Sequence, residues 1–208
     1  MLHSMHGEEK GSMTEEPDAR RLTLSRLTVK VVVVHTVTYF AAGLLAYTLG
    51  GYERTFSQPP LSYFMRPTSD RWVMAGPLFQ PIRGVIFALA FYPLRSALFA
   101  EKRGWLTLWW LLLALGVLST FGPAPGSVEG LIYTIIPPLD QILGLWEVLL
   151  QSFLFSVVLF HWINHSGKRW LDWTLGIAFS IVMILPLLGL LLASPESGTL
   201  RATVSTRT

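Results

Sequence analysis

The chain of 208 residues has no cysteine. Disulfides, thiolate metal sites and cysteine nucleophiles are therefore excluded, and cysteine usage carries no information about the compartment. Charge is scarce as well. Asp, Glu, Lys and Arg make up 14% of the residues, against about 25% in a soluble domain. No G-x-S-x-G nucleophile elbow occurs, since Gly126-Ser127 lacks the rest of the motif. No internal repeat is evident, so inverted-repeat transporter architecture is not supported. A secretory signal is missing too: residues 1–26 are polar, and the first apolar run begins near Leu27. Met5 and Met13 are alternative starts within this stretch, which is expected to be a disordered cytoplasmic tail.

What the chain has in quantity is apolar sequence. It is 51% hydrophobic, with a mean hydropathy of +0.48. A net charge of +3 and a pI near 9.4 could suggest nucleic acid. The basic residues instead flank apolar segments rather than forming one stripe, and nucleic acid is rejected as a partner. Five segments have the length of a membrane-spanning helix, about 20 residues: residues 29–50, 76–99, 105–122, 140–163 and 171–193. Pro81 and Pro93 fall inside the second and should kink it. Between the third and fourth, Ser127 is the expected N-cap of a short helix over 127–136, stopped by Pro137-Pro138. It is too short to span, so it should be interfacial or re-entrant. The expected fold is thus all-α, a polytopic transmembrane bundle of five helices, residues 27–194, with one short extra helix and a flexible tail at 195–208.

Orientation follows from Lys and Arg beside the spans. Arg20, Arg21, Arg26 and Lys30, then Lys102 and Arg103, then Lys168 and Arg169 fall on one side if there are five spans. That side is expected to be cytoplasmic, with the N-terminus inside and the C-terminus outside. The 51–72 loop dissents with Arg54, Arg66 and Arg71, partly offset by Glu53 and Asp70. The tryptophans group as an aromatic belt would: Trp105, Trp109, Trp110, Trp162, Trp170 and Trp173 near the inner interface, Trp72 and Trp146 near the outer one.

Ionisable residues inside apolar segments mark where function should sit, because each needs a partner in hydrocarbon. In the fourth span Asp140, Glu147, Gln151, His161 and His165 share one helical stripe. In the second, Gln80, Arg83, Phe87, Phe91 and Arg95 are spaced by three or four. Arg83 lies about 9 Å below Pro77 and Glu147 about 10 Å below Asp140, at 1.5 Å per residue. An Arg83–Glu147 ion pair in the outer half is expected, with Gln80, Gln151 and Asp140 satisfying the remaining hydrogen bonds and Glu129 closing the site from the loop. The free N–H groups at the start of the short helix are a weak anion-binding device. His3, His6, His35, His161 and His165 share no haem or metal motif, so no cofactor and no metal site are expected.

At YFMRP (63–67), RGVIFALAFYPLR (83–95), KRGW (102–105) and STFGPAPGSVEGLIYT (119–134), the chain resembles a group of small bacterial polytopic membrane proteins with no assigned activity. FGPAPGSVEGLIYT is the distinctive string. The resemblance covers roughly residues 60–165 and implies a bacterial inner-membrane setting. It implies no activity.

Three readings of function stay open. The first is binding or transport of a small polar or anionic ligand through an outward-facing pocket lined by Arg83, Glu129 and Glu147, with Gln80, Asp140 and Gln151 beside them. The second is a non-catalytic accessory or assembly subunit with a membrane-protein partner. The third is a membrane enzyme acting on a lipid-linked substrate. The expectation leans to the first, and to a protein that is not an enzyme. The lipid bilayer is a partner in all three.

Overall fold

A computed structural model describes residues 22–192. The expected tail at 195–208 lies outside them, as does all but the end of the tail expected at 1–26. The first helix, α1 (Leu24–Gly50, 27 residues), begins inside that tail. Its run Val31–Val34 would favour a strand in water. In lipid each N–H and C=O must be paired within the segment, which a helix achieves and a lone strand does not. Thr28, Thr38 and Thr48 turn their hydroxyls back onto the carbonyls of Leu24, Val34 and Leu44 at 2.8–3.0 Å. Gly51, at φ +59°, closes the helix in the left-handed conformation that costs glycine nothing.

The remaining elements are α2 (Tyr52–Phe56), α3 (Arg71–Met74), α4 (Gln80–Phe91), α5 (Arg95–Phe99), α6 (Gly104–Leu113), α7 (Val128–Tyr133), α8 (Pro138–Asn164) and α9 (Arg169–Leu192). No strand occurs among the described residues. Three helices, α1, α8 and α9, are long and apolar enough to cross a membrane. The segments expected to span at 76–99, with kinks at Pro81 and Pro93, and at 105–122 are not single helices of spanning length. α4 and α6 have 12 and 10 residues, about 18 and 15 Å, against roughly 30 Å of hydrocarbon.

Proline accounts for the first break. Pro77 and Pro81 offer no N–H to the preceding turn. The segment between them, Gly76–Phe79, winds as a 3-10 turn, and Pro81 opens α4 rather than kinking it. Ala75 (φ −77°, ψ −7°) and Phe79 (φ −89°, ψ −10°) keep right-handed helical backbone. Helical chain therefore continues upward from α4 through α3 to Asp70, whose carboxylate caps α3 by accepting from the Trp72 amide at 2.8 Å. Pro93 separates α4 from α5. After α6 the helix widens into a π turn, Ala114–Leu118, and stops.

α1 is the axis of the bundle. α4, α8 and α9 pack on it, α6 packs on α8, and α5 packs on α6. The buried stripe of α1, Leu27, Val31, Val34, Thr38, Ala42 and Ala46, recurs every three or four residues, as an inward helix face requires. α4 runs antiparallel to α1 at very close range. A Cβ on Gly84 would lie 2.7 Å from the Val32 Cα, so glycine is what lets the two backbones meet.

The ends of the bundle can be told apart by their contacts. Lys30 Nζ donates to the Trp162 carbonyl at 2.8 Å and lies 5.1 Å from the centre of its ring. Trp162 in turn donates from Nε1 to Asp172 Oδ1 at 2.6 Å. Trp162 is only 5% exposed, so it belongs to the core and not to an aromatic belt. Gly104, next to Lys102 and Arg103, packs on the Leu98 carbonyl and the Phe160 ring. Lys30, Lys102, Arg103 and Arg169 therefore gather at one end. The opposite end holds Gly50 beside Trp146, Gly126 beside Leu145 and Gly189 beside Met74.

Candidate functional site

A cavity of about 100 Å³ opens within the bundle. α1 contributes His35, α4 contributes Arg83 and Phe87, and α8 contributes Val148, Gln151, Ser152 and Phe155. Leu112 of α6 and Gly116 and Val117 of the π turn form the remaining wall. Liquid water occupies about 30 Å³ per molecule, so the space suits about three waters or one small group. Among the described residues no carboxylate lines it.

His35 is held firmly. Gln80 donates from Nε2 to the Gly76 carbonyl at 3.0 Å, which turns its Oε1 toward the imidazole. That oxygen accepts from His35 Nε2 at 3.1 Å. The neutral ring therefore carries its proton on Nε2 and keeps Nδ1 as an acceptor. The rings of Phe87 and Phe155 meet it edge-on, with centroids 5.0 and 5.6 Å away.

Arg83 lies over the Phe87 ring at 5.9 Å. Among the described residues its guanidinium makes no hydrogen bond and no ion pair. The Gln151 amide is likewise uncommitted among the described residues. Two groups able to donate thus line one space without a hydrogen-bond partner among the described residues. Ser152 differs, because its hydroxyl donates to the Leu149 carbonyl at 3.1 Å.

Of the residues singled out from sequence, Arg83 and Gln151 line the cavity. Gln80 stands behind it, buried, as the support for His35. Glu147 does not reach it: its carboxylate faces α1, where a Cβ on Gly43 would be 3.8 Å from Oε1. The expected Arg83–Glu147 ion pair does not form among the described residues. The reason is depth. Arg83 precedes Gly84, which meets Val32, whereas Glu147 meets Gly43. Those α1 positions are about 16 Å apart along the helix. The expectation treated Pro77 as the top of its helix, but the helical chain continues above it to Asp70. Tyr39 occupies the interval, within electrostatic reach of both charges.

Glu129 and Asp140 belong to the loop end and do not line the cavity. Asp140 is exposed in the first turn of α8, and Glu129 is half-buried on α7. Ser127 caps α7 as expected, accepting from the Gly130 amide at 2.9 Å. That helix is shorter than 127–136 and ends at Tyr133, while Pro138 opens α8 instead of closing α7. The connection is held by a residue the sequence reading passed over. Gln141 accepts from the Gly126 amide at 3.0 Å and donates to the Ile136 carbonyl at 2.8 Å. Its Nε2 also lies 3.2 Å from Thr134 Oγ1. It sits beside Asp140 but off the polar stripe of the fourth span, so periodicity offered no signal for it.

His161 and His165 stack at 4.1 Å, and His165 Nδ1 bonds the His161 carbonyl of its own helix at 3.0 Å. No group of three metal-ligating side chains occurs among the described residues.

Three apolar helices of spanning length, α1, α8 and α9, define the class, a helical membrane protein. Comparison with protein-family models, curated proteins and solved structures finds no match to the chain.

Proposed function

We propose that this is a bacterial inner-membrane protein of five passes that binds a small anionic or polar group beside Arg83. The carrying observation is that, among the described residues, the guanidinium of Arg83 is uncommitted and no carboxylate lines its cavity. An arginine within a membrane bundle needs a counter-charge. With none from the described residues, an anion is the complementary occupant, and the Gln151 amide supplies a second donor. Glu129 and Glu147, expected to share the site, are outside it, so the binding group is cationic and not a mixed pair.

The pass count rests on two supports. The helical chain from Arg71 to Phe91 spans 21 positions despite its 3-10 link. α6 with its π turn packs along α8 as a further rod. The gathering of Lys30, Lys102, Arg103 and Arg169 at one end supports a cytoplasmic N-terminus and an external C-terminus.

The test uses the purified full chain in detergent. Thermal unfolding is followed with sodium formate, acetate, nitrate and phosphate at constant ionic strength. At a hundred times its Kd, a ligand adds about 2.7 kcal/mol, or about 5–10 °C in a protein of this size. At least one anion should give such a rise, and Arg83→Gln should abolish it. No anion-specific rise in the native chain overturns the proposal.

A further inference from the structure

We infer that the anion is the acidic head of a membrane amphiphile, a carboxylate or phosphate on an acyl chain, which enters sideways from the lipid between α4 and the π turn after α6. The inference rests on the anion-binding reading and adds the ligand class and the route.

The route follows from packing. α4 packs on α1 and α6 packs on α8, while α4 and α6 do not pack along one another. The cavity lies in the gap they leave. Its rim is exposed at Arg83, Gly116 and Val148, and its floor is buried at His35, Ser152 and Phe155. The mouth therefore faces outward from the side of the bundle. On the surface around the mouth, Ile86 of α4 and Leu115 of the π turn are 58% and 64% exposed. A free anion reaching Arg83 across that apolar surface gives up part of its hydration, a cost that Arg83 and Gln151 must offset. An amphiphile brings its own apolar chain to the surface and offers only its head to Arg83.

Size and local geometry agree with this. About 100 Å³ holds a carboxylate or phosphate head with a few carbons, and the rest of the chain must lie outside, along the bundle. The π turn widens this wall where the head would pass, with the Ser119 amide reaching back to the Ala114 carbonyl at 3.0 Å. Gly116 within it has nothing within 4 Å of where a Cβ would stand. Such turns concentrate at functional sites, where they relieve the regular helix surface.

The experiment places the full chain in phosphatidylcholine nanodiscs and reads electron paramagnetic resonance of chain-labelled lipids. The probes are spin-labelled stearic acid, phosphatidic acid, phosphatidylcholine and stearyl alcohol, with the label at one chain position. The motionally restricted fraction of stearic or phosphatidic acid should exceed that of phosphatidylcholine at least fivefold. Arg83→Gln should return it to the phosphatidylcholine level, and Gly116→Leu, which narrows the mouth, should lower it. Where Arg83→Gln does not fold, Gln151→Leu should weaken retention at least threefold. Retention of the alcohol equal to the acid overturns the inference, because the head charge would then be irrelevant. Equal retention of all four probes, alongside an acetate- or phosphate-dependent thermal rise, overturns the amphiphile and leaves free-anion binding standing. Failure of both assays overturns both.

Discussion

Gln141→Met tests how the loop between the π turn and α8 is held. The replacement keeps the length of the side chain and removes its amide. Two buried backbone groups then lose the only partners they have among the described residues: the Gly126 N–H and the Ile136 carbonyl. The Gly130 carbonyl keeps Thr134, whose hydroxyl donates at 2.7 Å. Each orphaned group costs about 1–3 kcal/mol, so the loop should open more easily by about 2–6 kcal/mol. Chymotrypsin cleavage after Tyr133 reads that opening, since cleavage under weak protease follows the open population. The lower figure alone corresponds to about a 30-fold faster cut, at 1.4 kcal/mol per tenfold. The neighbouring Asp140→Asn, on an exposed side chain, is the control. A change below about threefold in Gln141→Met would refute the assignment of Gln141 as the staple of this loop.

Two further outcomes follow from single contacts. Gly84→Ala forces α1 and α4 apart against the Val32 backbone, at about 1–3 kcal/mol; Gly144→Ala on α8 meets nothing within 4 Å and should be neutral or mildly stabilising, so differential scanning calorimetry should show shifts of opposite sign or clearly different size. The Trp72 amide donating to Asp70, helped by Arg66 at 3.1 Å, holds the Asp70 carboxyl below the usual carboxylate range. Its cap on α3 is therefore fully present above the ordinary aspartate pKa and lost only as pH falls through the lowered one; ¹³C NMR of the Asp70 carboxyl should show a midpoint below the ordinary value, moving up in Arg66→Ala.

Much of the helical layout was legible because apolar length is a local property. The fourth and fifth spans, expected at 140–163 and 171–193, run over Pro138–Asn164 and Arg169–Leu192. The Ser127 cap was legible for the same reason, since it concerns residues three apart. The second expected span is discontinuous in a way hydropathy could not show, because hydropathy does not register a missing N–H. Pro77, Pro81 and Pro93 interrupt the helical ladder without lowering the apolar count. Of the site, Arg83 and Gln151 were legible as polar groups in apolar helices, whereas His35 belongs to no haem or metal motif and its place beside Gln80 was not legible.

What the sequence determined by itself is the class of molecule and the cost of its interior charges, because both depend on composition and on distance along one helix. Which charges meet depended on tertiary structure. The side-by-side register of α4, α1 and α8 is set by how closely Gly84 lets α4 approach Val32 and by which α1 residue Glu147 faces. A shift of eleven residues along α1 separates an ion pair from two isolated groups. That distance between helices is nowhere written in the spacing within either one. The cavity exists for the same reason: it is the space left where α4 and α6 follow different long helices and do not close on each other.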